Sequence, residues 1–180
     1  MPMERESPSA ASPARHTGTG GGSPLASTFA RLSRWTGGRR LFSRVVCWRA
    51  PYFGSIAPRF LAVDADRCEV EIRDRRRVHN HIGTVHAIAL CNMAELAAGV
   101  MMEAGTPRGM RWIPKGMTVE YLKKAVGTMR AVARPAAALE ARDAGYELPV
   151  EVEVRDPGAA IVFRARIAMW VSPRKPGIGT

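Results

Sequence analysis

The stretch Val78-His79-Asn80-His81-Ile82-Gly83-Thr84-Val85-His86-Ala87-Ile88-Ala89-Leu90-Cys91-Asn92-Met93-Ala94-Glu95 sets the reading of this chain. It begins as a polar loop and ends as a helix. Gly83 and Thr84 make the turn, and the Thr84 hydroxyl is the expected N-cap. The helix then runs from Val85 to Ala104 and is closed by Gly105 and Pro107. Of its twenty residues only His86, Asn92, Glu95 and Glu103 are clearly polar. A helix apolar on nearly every side is a buried one.

The flanking segments read as strands. Ile56–Val63 and Arg67–Asp74 lie about the turn Asp64-Ala65-Asp66. In the second, Cys68, Val70 and Ile72 alternate with Glu69, Glu71 and Arg73, the period of a strand with one wet face. After the helix come Arg111–Leu122, Thr128–Ala133, Leu148–Arg155 and Ala160–Val171, parted by segments rich in Gly, Pro and Asp. No internal repeat is visible. One long buried helix wrapped by a curved antiparallel sheet is an α+β arrangement, the hotdog architecture, and it is expected over residues 51–173, with 174–180 as a C-terminal tail.

The first fifty residues differ. Residues 1–27 are Ser, Pro, Ala, Gly and Thr with scattered charge, a composition that buries too little to offset its ordering entropy, so a disordered tail is expected. Residues 28–50 bring Phe29, Leu32, Trp35, Leu41, Phe42, Val45, Val46 and Trp48 among arginines, and predict an amphipathic helix over Arg39–Ala50. The net charge is +11, and residues 1–50 contribute +6 of it, eight arginines against Glu4 and Glu6. Basic charge attracts polyanions, but no nucleic-acid-reading signature accompanies it, so no specific nucleic acid is expected. No apolar run is free of polar interruption over the length of a membrane span. Three cysteines, Cys47, Cys68 and Cys91, give neither a disulfide framework nor a zinc pattern. A cytoplasmic location fits, or an organelle matrix if the Arg-rich N-terminus is a transit peptide.

The chemistry gathers where the loop meets the helix. His86 and Ala87 fall in the first turn, where amides lack helical partners and the helix dipole is positive. Such amides suit an oxyanion or a thioester carbonyl, and a small Ala87 lets the carbonyl approach. Glu95 comes eight residues later, roughly 12 Å down the axis at the usual helical rise. One carbonyl held at Ala87 is therefore out of reach of a water held on the same chain's Glu95. Two such helices side by side about a twofold axis solve this, because Glu95 of one then faces Ala87 of the other, where it can deprotonate water or attack as a nucleophile while the amide and Asn80 hold the negative charge. A homodimer, with a tetramer as an extension, is the expected assembly.

The pattern Asn80-x-x-Gly83-Thr84-x-His86-Ala87, with Glu95 eight residues on, resembles that of the hotdog acyl-CoA thioesterases of the phenylacetate-pathway (PaaI-like) and human thioesterase-superfamily type. The longer form, with Ala94-Glu95-Leu96, is similar to a bacterial hotdog group, the DUF4442 proteins. Val119-Glu120-Tyr121-Leu122-Lys123-Lys124-Ala125-Val126-Gly127 resembles the central strand of that fold and its closing turn. The resemblance implies acyl-CoA as substrate and hydrolysis to free acid and coenzyme A; no cofactor is expected, and no metal, because no acid or thiolate accompanies His79, His81 and His86 at the spacing of a zinc motif. It implies Ala87 as the oxyanion donor, Asn80 as the group orienting thioester or water, Glu95 as the catalytic carboxylate, and His86 hydrogen-bonding near the thioester. Gly83, Thr84, Ile88 and Thr118 are the implied substrate contacts. Ile88 stands where relatives often carry Gly, and Thr118 is the hydroxyl nearest a Ser/Thr position of some relatives.

Other readings compete. A hotdog domain can bind an acyl-CoA or a fatty acyl chain without hydrolysing it. A hotdog dehydratase also joins His to an acid, but in a His-Phe-Pro-Gly-like context that is absent here. Glu95 could be half of a buried ion pair, and Cys91 a small core residue. Arg73–Arg77 is either a solvated strand end or a contact for coenzyme A phosphates.

Overall fold

The computed structural model describes residues 23–174. Two helices come first, α1 (Pro24–Ser33) and α2 (Gly38–Arg49). α1 begins inside the segment expected to be a tail, because Ser23 caps it with a side chain that accepts the Leu25 N–H and Pro24 sits at the first helical position. Residues 1–22 of the expected tail, and 175–180, lie outside the described residues. Phe29 of α1 packs edge-on against Phe42 of α2, and Phe42 against Phe60 of the first strand, so the helical pair is joined to the core by aromatic contacts.

A six-residue 3-10 turn, Pro51–Ile56, follows. The expected strand over Ile56–Val63 therefore starts later. Ala57 takes a left-handed φ of 43° before Pro58, and only then does β1 (Arg59–Val63) extend. β2 (Cys68–Ile72) pairs back on it. A short 3-10 turn, Arg76–Val78, leads to the long helix α3 (Ala87–Gly105), and then come β3 (Met110–Tyr121), β4 (Met129–Pro135), β5 (Tyr146–Arg155) and β6 (Ile161–Pro173). All pairings are antiparallel, in the order β1-β2-β4-β5-β6-β3. α3 contacts every one of the six strands, so the sheet curves around it. This is the α+β arrangement expected from the sequence.

Met93, Ala94, Ala97, Ala98, Met101 and Met102 of α3 are fully buried, against Val70, Met129, Ala131, Val152 and Met169 of the sheet. By length and composition α3 could cross a bilayer, but most of it is buried in the protein. Its last residue, Gly105, is a glycine because a Cβ there would lie 2.4 Å from the Ala65 carbonyl of the β1–β2 turn. Thr106 closes it, its N–H and hydroxyl both donating to the Met102 carbonyl.

α3 is not buried on every side, as its composition suggested. Ile88, Glu95 and Glu103 are exposed, with Cys91 and Gly99 half-buried between them. At 3.6 residues per turn these form one stripe. Beside it, the edge strand β3 leaves Ile113, Met117 and Tyr121 exposed.

Candidate active site

The loop before α3 is built around Asn80. Its Oδ1 accepts the N–H groups of Ile82 and Thr84, and its Nδ2 donates to Thr84 Oγ1 at 2.9 Å. The backbone closes the same loop, with the Asn80 N–H on the Thr84 carbonyl. Gly83, at φ +79°, supplies the left-handed residue that the closure needs. Thr84 is thus not the helix cap. It belongs to the loop, and Asn80 uses both ends of its carboxamide there, keeping one Nδ2 hydrogen for a further acceptor.

His86 is the cap. It is extended (φ −66°, ψ 140°), and its Nδ1 accepts the Ile88 N–H at 3.0 Å. α3 accordingly starts at Ala87 rather than Val85. The Ala89 and Leu90 N–H groups go to the His86 carbonyl. That leaves the Ala87 N–H as the first-turn amide with no acceptor among the described residues. Because Nδ1 accepts, the neutral imidazole carries its proton on Nε2, so His86 adds a second donor at the helix start.

The start of α3 is tied down on both sides. The His86 N–H donates to the Val78 carbonyl at 2.8 Å, and the Val85 N–H to the Ala125 carbonyl at 2.9 Å. Asp74 holds the same corner: one oxygen takes His79 Nε2, and the other accepts the Gly127 N–H at 2.7 Å. The His79 bond, helped by the Gly127 amide, keeps the Asp74 carboxyl below its usual range. His79 is therefore a structural partner of Asp74.

Glu95 is exposed on the α3 stripe, two turns beyond Ala87, and has no ion pair or hydrogen bond among the described residues. The buried ion-pair reading of Glu95 has no cation here to support it. Glu95 borders a cavity of about 290 Å³ between α2 and α3, walled by Val45, Val46, Trp48, Phe53, Leu96 and Val100. The single chain brings Asn80, Gly83, Thr84, His86, Ala87 and Ile88 together and leaves Glu95 apart from them by the helix length.

Thr118 does not join the cluster in one chain. Val119 packs on the core and Tyr121 reaches Cys91 of α3, so alternation turns Thr118 to the other face of β3. Tyr121 and Cys91 are the site neighbours that sequence reasoning missed. Cys91 Sγ lies 3.3 Å from the Tyr121 hydroxyl, midway along the stripe between Ala87 and Glu95. That bond, with some burial, pushes the Tyr121 phenol up to about 12. Cys91 packs against the core, as a small core residue does, and is half-buried on the open stripe. Asn92 was also passed over. It is buried, donates to Ser55 Oγ at 3.1 Å, and has a carboxamide oxygen with no partner among the described residues. It lines, with His86, Ile88 and Arg77, a cavity of about 180 Å³ at the helix start.

Comparison with known proteins places this geometry. The family model "Domain of unknown function (DUF4442)" matches residues 38–171. A structural-genomics protein designated APC5556 is 45% identical, with a TM-score of 0.72 over 83% of this chain and 99% of that one. The Haemophilus influenzae thioesterase HI1161 shares the fold at 15% identity, with a TM-score of 0.62 over 72% of this chain and 87% of its own. Protein PA5026 of Pseudomonas aeruginosa, described as of unknown function and a probable thioesterase, gives 0.66 at 19% identity over 74% and 95%. No curated protein matches the chain. With its helix-in-sheet topology, its loop-capped α3 and a family match that spans most of its length, the chain belongs to the DUF4442 family and has the hotdog fold.

Proposed function

We propose that this protein hydrolyses acyl-CoA thioesters to the free acid and coenzyme A, at a site shared between two subunits. The observation that carries the reading is the pairing on one open stripe of α3 of an amide, Ala87, and a carboxylate, Glu95, neither of which has a partner among the described residues. The sharing of the fold with proteins described as thioesterases supports it.

The axial separation of about 12 Å makes each chain incomplete. In an antiparallel pair of α3 helices, the thioester carbonyl sits at the Ala87 N–H of one subunit and a water sits on Glu95 of the partner subunit. The carboxylate takes a proton from that water, and the oxygen attacks the carbonyl carbon. Negative charge builds on the carbonyl oxygen, where the amide and the helix dipole stabilise it. Collapse breaks the C–S bond, and the thiolate leaves with the proton from the carboxylic acid. The open stripe of α3, with Ile88, and the uncovered edge of β3, with Met117 and Tyr121, are the surface that such a dimer buries. The apolar cavity beside Glu95 takes the acyl chain.

Thiol release from a panel of acyl-CoAs, with thermal melting in parallel, tests this reading. Release of one thiol per thioester consumed supports it. Stabilisation by acyl-CoAs without any thiol release would mean a binding domain instead.

A further inference from the structure

Away from the helix start, a cleft of about 600 Å³ opens between α2 and the β1–β2 edge. Five arginines line it, Arg40 and Arg44 from α2, Arg59 from β1, and Arg73 and Arg75 from the segment after β2. A single carboxylate, Glu71, answers them, and it pairs with Arg59 at 3.8 Å. Arg75 donates to the Ile56 carbonyl at 3.4 Å. The guanidinium groups of Arg40, Arg44 and Arg73 have neither an ion pair nor a hydrogen bond among the described residues. Three free guanidinium forks held around one concavity, on two different elements, form a receptor for a ligand with more than one phosphate group.

The cleft and the smaller cavity at the helix start are walled by alternate residues of the same two segments, Gly54 and Ala57 against Ser55 and Ile56, and Arg75 against Arg77. Arg75 reaches Ile56, and Ile56 together with Arg77 lines the smaller cavity that also holds His86. The Val78 carbonyl binds the His86 N–H, and the three residues from Arg75 to Val78 span at most about 10 Å. The arginine cleft therefore lies within the span of a long flexible carrier whose thioester sits at Ala87.

We propose that this cleft binds the phosphorylated nucleotide end of the thioester's carrier, a 3′-phosphorylated adenosine diphosphate, and so selects coenzyme A as the leaving group. The proposal rests on the thioesterase reading for its biological sense, but its test does not need turnover. Adenosine 3′,5′-bisphosphate, glycerol phosphate as the analogue of a lipid headgroup, and inorganic phosphate are each titrated into the full-length protein by calorimetry at low and moderate salt. The bisphosphate should bind, more tightly than the two monophosphates and more weakly as salt rises. Arg44→Glu with Arg73→Glu should lose that binding at least tenfold, and the neutral pair Arg44→Gln with Arg73→Gln should give an intermediate loss with unchanged melting. The same changes should raise KM for an acyl-CoA at least tenfold while leaving hydrolysis of the phosphate-free acyl-N-acetylcysteamine thioester untouched. Hydrolysis of acyl-CoA by a protein that does not bind the bisphosphate, or equal KM in the arginine variants, overturns the cleft assignment and leaves the thioesterase reading intact. Glycerol phosphate binding as tightly as the bisphosphate overturns the nucleotide in favour of a headgroup. Bisphosphate binding that the arginine variants lose, with no thioester hydrolysed, supports the cleft and defeats the thioesterase reading.

Discussion

The Ile88 N–H donates to Nδ1 of His86 at 3.0 Å, and this bond decides which amide of α3 is open. With Ile88 taken by the ring and Ala89 by the His86 carbonyl, Ala87 is the donor that a substrate meets. Ala87 is also the first helical residue, and His86 before it is extended. Proline is tolerated at such a position and after such a residue. Ala87→Pro should therefore fold and melt as the natural chain does, yet lack the N–H. We predict a fall in kcat of about 10²–10³-fold, the usual cost of one oxyanion donor. Steady-state hydrolysis and melting curves check this, and full activity in a folded Ala87→Pro protein would remove the amide from the mechanism.

Glu95 is exposed and has no ion pair among the described residues, so Glu95→Gln leaves none of their cations stranded. Stability should hold within about 0.5 kcal/mol, the range for surface changes. Turnover should drop at least about a hundredfold, the low end for a lost general base. A loss of several kcal/mol in denaturant unfolding, with activity retained in the folded fraction, would mark Glu95 as a structural group.

The dimer register has a consequence at Cys91. If Ala87 of one helix faces Glu95 of the other, residue 91 lies midway and faces its own copy. Interaxial distances of about 8–10 Å put the two thiols within reach of a short bis-maleimide, which adds one thiol at each end. Such a reagent should link chains into dimers on denaturing gels, and Cys91→Ser should abolish the product, since Cys68 is fully buried and Cys47 lies on α2. No linkage through Cys91 would contradict this register.

Asp74 gives a pH signature. Its carboxyl is held low chiefly by the hydrogen bond from His79 and further by the Gly127 amide. A depressed native value adds stability above the unfolded value, about 3.9, and that contribution fades as pH falls through the native value. The melting difference between natural chain and Asp74→Asn should thus be largest at neutral pH and shrink below about pH 4. A difference that stayed constant down to pH 3 would show that Asp74 acts by shape alone.

Much of this was legible in the sequence because periodicity is a local signal. The alternation at Cys68, Val70 and Ile72 and the apolar run of α3 mark a strand and a core helix wherever they fold. The Asn80–Ala87 cluster was legible for the same reason, since a loop and the helix it feeds are neighbours in sequence. What was misread depends on exchange between near-equal options. Thr84 and His86 both offer a cap, and Asn80 drew Thr84 into the loop. Ser23 and Pro24 start a helix in a run whose composition looks like a tail. Tyr121 meets Cys91 across thirty residues of sequence, a contact that no local pattern announces. The faces of α3 could not be sorted from composition, because Ile88 is as apolar as the buried Leu90 and yet lies open.

The central claim is that amide and carboxylate come from different subunits, and complementation measures it directly. Ala87→Pro and Glu95→Gln chains, each inactive, are mixed in equal amounts, unfolded and refolded together. Random pairing makes half of the dimers mixed, and each mixed dimer holds one site with both Ala87 and Glu95 intact, so the account predicts about a quarter of natural activity. Activity no higher than that of the two parents, in a mixture shown by mass to contain heterodimers, would contradict a shared site.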